Sequence, residues 1–107
     1  MNWTEAIEGT IQQWDTIRES IGKASDVELL TEINAVCDLC KKAEEEGGSA
    51  IGRCQTCLFY QQFGGCQELS ARMSLAVVEK DLDRLRRLVD ETVRGMRALS
   101  LPTQVAF

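Results

Sequence analysis

The chain has 107 residues, of which 44% are hydrophobic and 27% charged, the composition of one ordinary globular domain. Acidic residues outnumber basic ones by 17 to 12, so we expect no nucleic-acid partner, because phosphate binding needs clustered Lys and Arg. The sequence has no histidine, which excludes Cys-His catalysis and mixed Cys/His metal sites.

The start of the chain has no features of a secretory signal. Met1 to Thr10 carries acidic residues and lacks a basic segment followed by an apolar run. No stretch approaches the eighteen or so apolar residues that a membrane-spanning helix needs. We therefore expect a cytoplasmic protein with no membrane association. Stable disulfides are uncommon in that compartment, where paired cysteines more often bind metal or carry out redox chemistry.

Two helices are predicted in the first half of the chain, over 3–21 and 26–46. The second begins with Ser25 and Glu28, which form a capping-box pattern, and Cys37 and Cys40 continue its apolar stripe. In the first, apolar residues recur every three or four positions and form one helical face: Trp3, Ile7, Ile11, Trp14, Ile17 and Ile21.

The third predicted helix covers 66–100 and would be about 50 Å long. It follows a glycine-rich segment, 47–65, that has room for a short helical turn over 55–63. Its apolar direction changes near Val77, and Asp81 falls on the side that should be apolar. Either the helix breaks near 79–81, or its two parts pack against different partners; we favour the second interpretation.

The predicted fold is therefore all-α. We expect a single domain over residues 1–107, an antiparallel bundle of three main helices. The cysteine-bearing, glycine-rich loop is expected to close one end of that bundle.

The spacing of the five cysteines predicts a metal site. Each Cys-x-x-Cys pair brings two sulfur atoms to one side, and the glycines between the pairs allow the chain to fold back. We predict a structural zinc ion held by four of the five. The best set is Cys37, Cys40, Cys54 and Cys57, with Cys66 as a spare or as the replacement for one of them.

Three other interpretations of the cysteines stay open. An iron–sulfur cluster also takes four thiolates. A thiol–disulfide function is possible because Cys-x-x-Cys is a redox motif, and Cys66 at a helix N-terminus should have a lowered pKa. Finally, the cysteines could be small core residues. That interpretation accounts poorly for Cys54 and Cys57, which fall in a glycine-rich segment.

We therefore expect an interaction or accessory protein rather than an enzyme, with the metal clamping the second helix to the start of the third. The long third helix also predicts a partner. The first two helices would be roughly 27 Å and 31 Å long, too short for one of them to cover its apolar side. A homodimer is the expected remedy, and a different protein partner is the alternative.

Overall fold

The computed structural model describes residues 2–47, 57–64 and 66–99. In the last of these ranges the side chains are described from residue 68 onward. Within these residues 80% are helical and none is in a strand, which confirms the all-α prediction. The described part of the chain forms six helices. They are α1 (Trp3–Ser20), α2 (Asp26–Ile33), α3 (Asp38–Gly47), α4 (Leu58–Phe63), α5 (Cys66–Val78) and α6 (Leu82–Arg97).

Side-chain caps set the starts of α1 and α2. Asn2 accepts a hydrogen bond from the backbone N–H of Glu5, and the Glu5 carboxylate accepts one from the Asn2 backbone. Ser25 and Glu28 make the same reciprocal pair at α2, as their sequence pattern predicts. Both motifs satisfy backbone donors that the first turn of a helix cannot pair internally.

The predicted helix over 26–46 is two helices, so its predicted continuity is wrong. Asn34 ends α2, where its side-chain amide donates to the Leu30 carbonyl and competes with the helical pattern. The chain then turns and restarts as α3 at Asp38, an acidic residue that is favourable in a first turn. Cys37 therefore lies just before a helix and not within one.

The predicted helix over 66–100 is also interrupted, so the break near 79–81 is confirmed. The interpretation that we favoured is right about packing, because α5 contacts α2 whereas α6 contacts α1 and α4, but wrong in keeping the helix continuous. The Lys80 backbone has φ +60°, and the N–H groups of Lys80 and Asp81 donate to the Val77 and Ala76 carbonyls. This is a Schellman ending, which satisfies carbonyls at the end of α5. Asp81 then caps α6 by accepting from the Arg84 N–H at 3.1 Å.

The helices pack around one core. Helix α1 contacts α2, α3 and α6; α5 contacts α2 and α6; and α4 contacts α3 and α6. Helices α1 and α6 run antiparallel, with Arg18 paired to Asp90 at 3.0 Å and Arg97 to Asp15 at 3.7 Å. The largest fully buried apolar side chains come from α1, α2, α3, α5 and α6: Ile17, Leu29, Ile33, Leu39, Met73, Val77, Leu85 and Val89.

The short helix α4 matches the predicted turn over 55–63 in its described part. It packs against α6 through Phe59, at the point where Gly95 leaves room. A Cβ atom on Gly95 would lie 3.1 Å from Phe59 Cε2, so this glycine permits the close approach. No helix within the described residues is both long and apolar enough to cross a membrane.

Candidate thiol site

Two cysteines meet at the start of α3. Cys37 immediately precedes this helix and Cys40 lies in its first turn, and both side chains are half-buried. Their Sγ atoms lie 3.7 Å apart, within hydrogen-bonding distance for sulfur and too far for a disulfide bond. The backbone N–H of Lys41 donates to the Cys37 carbonyl at 3.2 Å, which makes Cys37 the first hydrogen-bonded position of the helix.

Helix α1 fixes the position of this pair through two adjacent small residues. Thr10 is fully buried, and its hydroxyl accepts a hydrogen bond from the Leu39 N–H at 3.1 Å. Gly9 leaves room for the Asp38 carboxylate, because a Cβ atom there would overlap the Asp38 Oδ2 atom. These residues therefore hold the first turn of α3, and the cysteines on either side of Asp38 and Leu39, against α1.

The electrostatics of the site favour a thiolate on Cys37. Its pKa is lowered from 9.0 to about 6, chiefly by a hydrogen bond from the Cys40 side chain. Burial acts in the opposite direction. Smaller lowering contributions to this pKa come from the Cys40 backbone, the Thr10 hydroxyl and the Leu39 backbone. These donors gather at the N-terminus of α3, where the helix dipole also favours negative charge. At neutral pH the Cys37 sulfur is therefore mainly anionic.

A small, largely enclosed cavity of about 70 Å³ adjoins the two sulfur atoms. Trp14 forms one wall and is only 7% exposed. Helix α5 contributes Leu69 and Ser70. The remaining lining residues come from α2, α6 and the 34–40 region: Ile33, Ala35, Cys37, Cys40, Thr92 and Met96. The half-buried pair thus faces a largely enclosed interior, where electrostatic interactions are stronger than at the surface.

The structure describes the other three predicted ligands to different extents. Cys57 is buried, 4% exposed, and directly precedes α4. Cys66 is the first residue of α5, but its side chain is outside the description, and Cys54 lies outside the described residues altogether. Among the side chains that are described, no group of three or more Cys, Asp or Glu gathers closely enough to hold a metal ion. Among the predicted ligands whose side chains are described, the structure places Cys37 and Cys40 beside each other.

Sequence reasoning missed the contribution of Thr10 to this site. Thr10 falls outside the apolar stripe of α1, and a threonine within a helix gives no signal by itself. The indication in the sequence was the neighbouring Gly9, since a glycine inside a helical pattern often has a packing reason.

The fold and the site together define an all-α protein with a Cys-x-x-Cys dithiol at a helix N-terminus. Comparison with known protein families, with curated proteins and with solved structures finds no match to this chain.

Proposed function

We propose that this chain is a small helical accessory protein that binds one zinc ion through cysteine thiolates. The Cys37–Cys40 pair carries the proposal. At a Zn–S distance of about 2.3 Å, two tetrahedral ligands lie about 3.8 Å apart, and the two Sγ atoms lie 3.7 Å apart. The donors around Cys37 stabilise the deprotonated form, which is the form that binds a metal.

Two further ligands would come from Cys54, Cys57 and Cys66. Helix α4 contacts α3, so Cys57 precedes an element that packs beside the helix bearing Cys40. A metal shared between these motifs would clamp α3 to the segment leading into α4 and α5. It would thereby close one end of the helical bundle through the predicted loop 47–65. Such a site contributes folding free energy on the order of 10 kcal/mol.

An iron–sulfur cluster is the alternative occupant, because it also takes four thiolates. The two are distinguished by absorbance: a cluster gives a brown protein with broad visible bands, whereas zinc is colourless. A cytoplasmic location, which we retain as part of the proposal, would keep the thiols reduced and available to either group.

The test is metal content after anaerobic purification, measured by elemental analysis with the visible spectrum recorded alongside. We expect one zinc per chain. The five single Cys→Ser variants provide their own control, since a site of four ligands requires four of them to lose zinc and one to keep it. Loss in Cys37→Ser and Cys40→Ser is required. A wild-type protein with no metal, or metal retained in either of these variants, contradicts the proposal.

A second candidate function, thiol–disulfide exchange, is favoured by the position of Cys37 at the N-terminus of α3 beside Cys40. In this reaction the Cys37 thiolate attacks a partner disulfide, forming a mixed disulfide and releasing one partner thiolate. Cys40 then attacks the Cys37 sulfur as a thiolate, which closes the Cys37–Cys40 disulfide and releases the second partner thiolate.

This second function is tested with metal-free, reduced protein and oxidised glutathione. Exchange predicts a disulfide between Cys37 and Cys40, detected by peptide mass spectrometry, and a glutathione adduct trapped on Cys37 in the Cys40→Ala variant. Adducts distributed equally over all accessible cysteines would count against it.

A further inference from the structure

A surface groove lies between α1 and the α2–α3 connection, and Ala35 lines both this groove and the cavity beside the thiols. Its volume is about 260 Å³. Gln13, Thr16 and Ile17 form the α1 wall, and Glu32, Ala35 and Val36 form the other. Part of the groove lining is apolar. It includes the buried Ile17 and also Val36, which leaves 49% of its surface exposed. An alkyl chain would therefore bury apolar surface here.

The carboxylate of Glu32 gives this groove a chemical preference. Its Oε2 atom is buried and has no hydrogen-bond partner among the described residues. A buried carboxylate oxygen without a donor is costly, and such groups are almost always paired in proteins. Rotation about the terminal bond of a glutamate is broad and roughly two-fold, so either oxygen can turn toward a donor that enters the groove.

The surroundings of Glu32 specify a cation. None of the described residues that line the groove is basic. Residues 1–49, which supply all of its lining, hold eleven of the 17 acidic residues of the chain and only four of its 12 basic ones. An uncharged apolar occupant would remove water from the carboxylate without replacing its hydrogen bonds, and an anionic occupant would be repelled.

We propose that this groove binds a lysine or arginine side chain presented by a protein partner. The methylene stem would lie against Ile17, Ala35 and Val36, and the cationic head would pair with the Glu32 carboxylate. Lys and Arg side chains bury their stems against apolar surface in this way while their charged heads meet an acid. The proposal concerns a surface separate from the cysteines and stands independently of the metal site.

The test uses the purified wild-type protein and the pentapeptide Ac-Ala-Ala-Lys-Ala-Ala-amide, with binding followed by ¹H–¹⁵N NMR. Two matched peptides replace the lysine by arginine or by norleucine, which keeps the stem and removes the charge. We expect the lysine or arginine peptide to shift the amide signals of Thr16, Ala35 and Val36 with a Kd in the millimolar range, as suits a single side chain.

Removing the charge on either side should weaken this binding by roughly tenfold, the loss expected for a hydrogen bond to a charged group. The norleucine peptide and the Glu32→Gln variant remove it from the peptide and from the protein. Glu91→Gln, which makes the same change at an exposed site on α6, should bind like the wild type.

Three results would overturn the proposal: no shift with either basic peptide, equal binding of the norleucine peptide, or unchanged binding by Glu32→Gln. A wild-type protein that self-associates and dissociates on Glu32→Gln would assign the groove to a second copy of this chain, which also overturns it. A separate fluorescence or dichroism check that Glu32→Gln remains folded excludes trivial loss.

Discussion

At the scale of single residues, the Thr10 side chain makes several of the contacts that build the site. Its hydroxyl oxygen accepts from the Leu39 N–H, and its proton serves either the Ala6 carbonyl, at 2.8 Å, or the Cys37 thiolate. Because Thr10 is fully buried, water cannot replace these interactions. One hydroxyl on α1 therefore both anchors the start of α3 and stabilises the anionic sulfur.

Replacing Thr10 by Val removes the hydroxyl at nearly constant volume and leaves the buried Leu39 N–H unpaired. We expect the free energy of unfolding to fall by about 1–3 kcal/mol, the cost of an unsatisfied buried donor. Thr10→Ser keeps the hydroxyl and is the matched control, with a smaller loss from its missing methyl group. Urea denaturation measures both, and equal stability of Thr10→Val and wild type would contradict this role for Thr10.

The acidity of Cys37 predicts how the metal-free, reduced protein reacts with pH. Because the folded pKa is about 6, below the ordinary value of 9.0, the thiolate forms as pH rises through 6. The rate of alkylation of Cys37 by iodoacetamide should therefore reach half its maximum near pH 6, measured by peptide mass spectrometry.

Cys40→Ala is the control for that profile, since the Cys40 side chain is the largest cause of the lowered pKa. In this variant the midpoint should move to higher pH, toward the ordinary value for a thiol. A midpoint in the wild type that already lies at the ordinary value, or one that Cys40→Ala leaves in place, is the contrary result.

At the scale of helices, the sequence predicts the elements better than their interruptions. The apolar stripe of α1 and the capping box at Ser25 are local sequence patterns, and the helices that they predict are confirmed. The break after Ile33 depends on an Asn34 amide and on the contact of α3 with Thr10, which is 29 residues away along the chain from Leu39. Such a contact leaves no periodic signal in the sequence.

The break between α5 and α6 was only one of two alternatives that the sequence left open, and the other was favoured for a physical reason. Helices that end in a left-handed residue usually place glycine there, whereas this chain has Lys80 with φ +60°. The usual marker is therefore absent, although Asp81 on the apolar side was a true sign of the break. The change of apolar direction near Val77 also has a physical cause, because α5 packs against α2 as well as α6.

This backbone conformation predicts the effect of substitutions at Lys80. Glycine adopts a positive φ without the steric cost of a Cβ atom, roughly 1 kcal/mol. Lys80→Gly and Lys80→Ala both remove the ion pair with Asp26, which is exposed and contributes little. We expect Lys80→Gly to be more stable than Lys80→Ala by about 1 kcal/mol in urea denaturation. Equal stability, or a more stable alanine variant, would show that residue 80 does not adopt this conformation.

At the scale of the whole molecule, both parts of the predicted third helix bury an apolar face within the chain, and α5 also leaves apolar side chains exposed. Leu85, Val89 and Met96 on α6 are buried within the chain, whereas Leu75 and Val78 on α5 are 53% and 65% exposed. Any association through this region would therefore use the end of α5 and not the apolar side of α6. The exposed Val27 of α2, an element in contact with α5, is a further apolar residue available to it.

The predicted homodimer can thus be tested at an exposed position that the monomer fold does not need. Sedimentation at micromolar concentration should show a dimer, and Val78→Asp should dissociate it while retaining its helical dichroism. Met96→Asp is the contrasting variant, because it places a charge in the core and should unfold the chain. A wild type that sediments as a single 11.9 kDa species contradicts the homodimer.

The spacing of the cysteines made one part of the site predictable. The Cys-x-x-Cys pattern of Cys37 and Cys40 predicted two adjacent sulfur atoms, and the structure brings them together. The supposition that both lie within one helix was wrong, because Cys37 precedes α3. The acidity of its thiol arises from that position and from Thr10, neither of which residue spacing can specify.

We propose above that a metal ion bound by these cysteines stabilises the fold. Thermal unfolding of matched samples is the sharpest test of this stabilisation. Protein purified anaerobically, the same protein stripped with a chelator under reducing conditions, and the stripped protein reloaded with one equivalent of zinc are melted side by side. We expect stripping to lower the Tm and zinc to restore it, because the metal binds the folded state and not the unfolded one. Identical Tm values for the purified and stripped samples would contradict it.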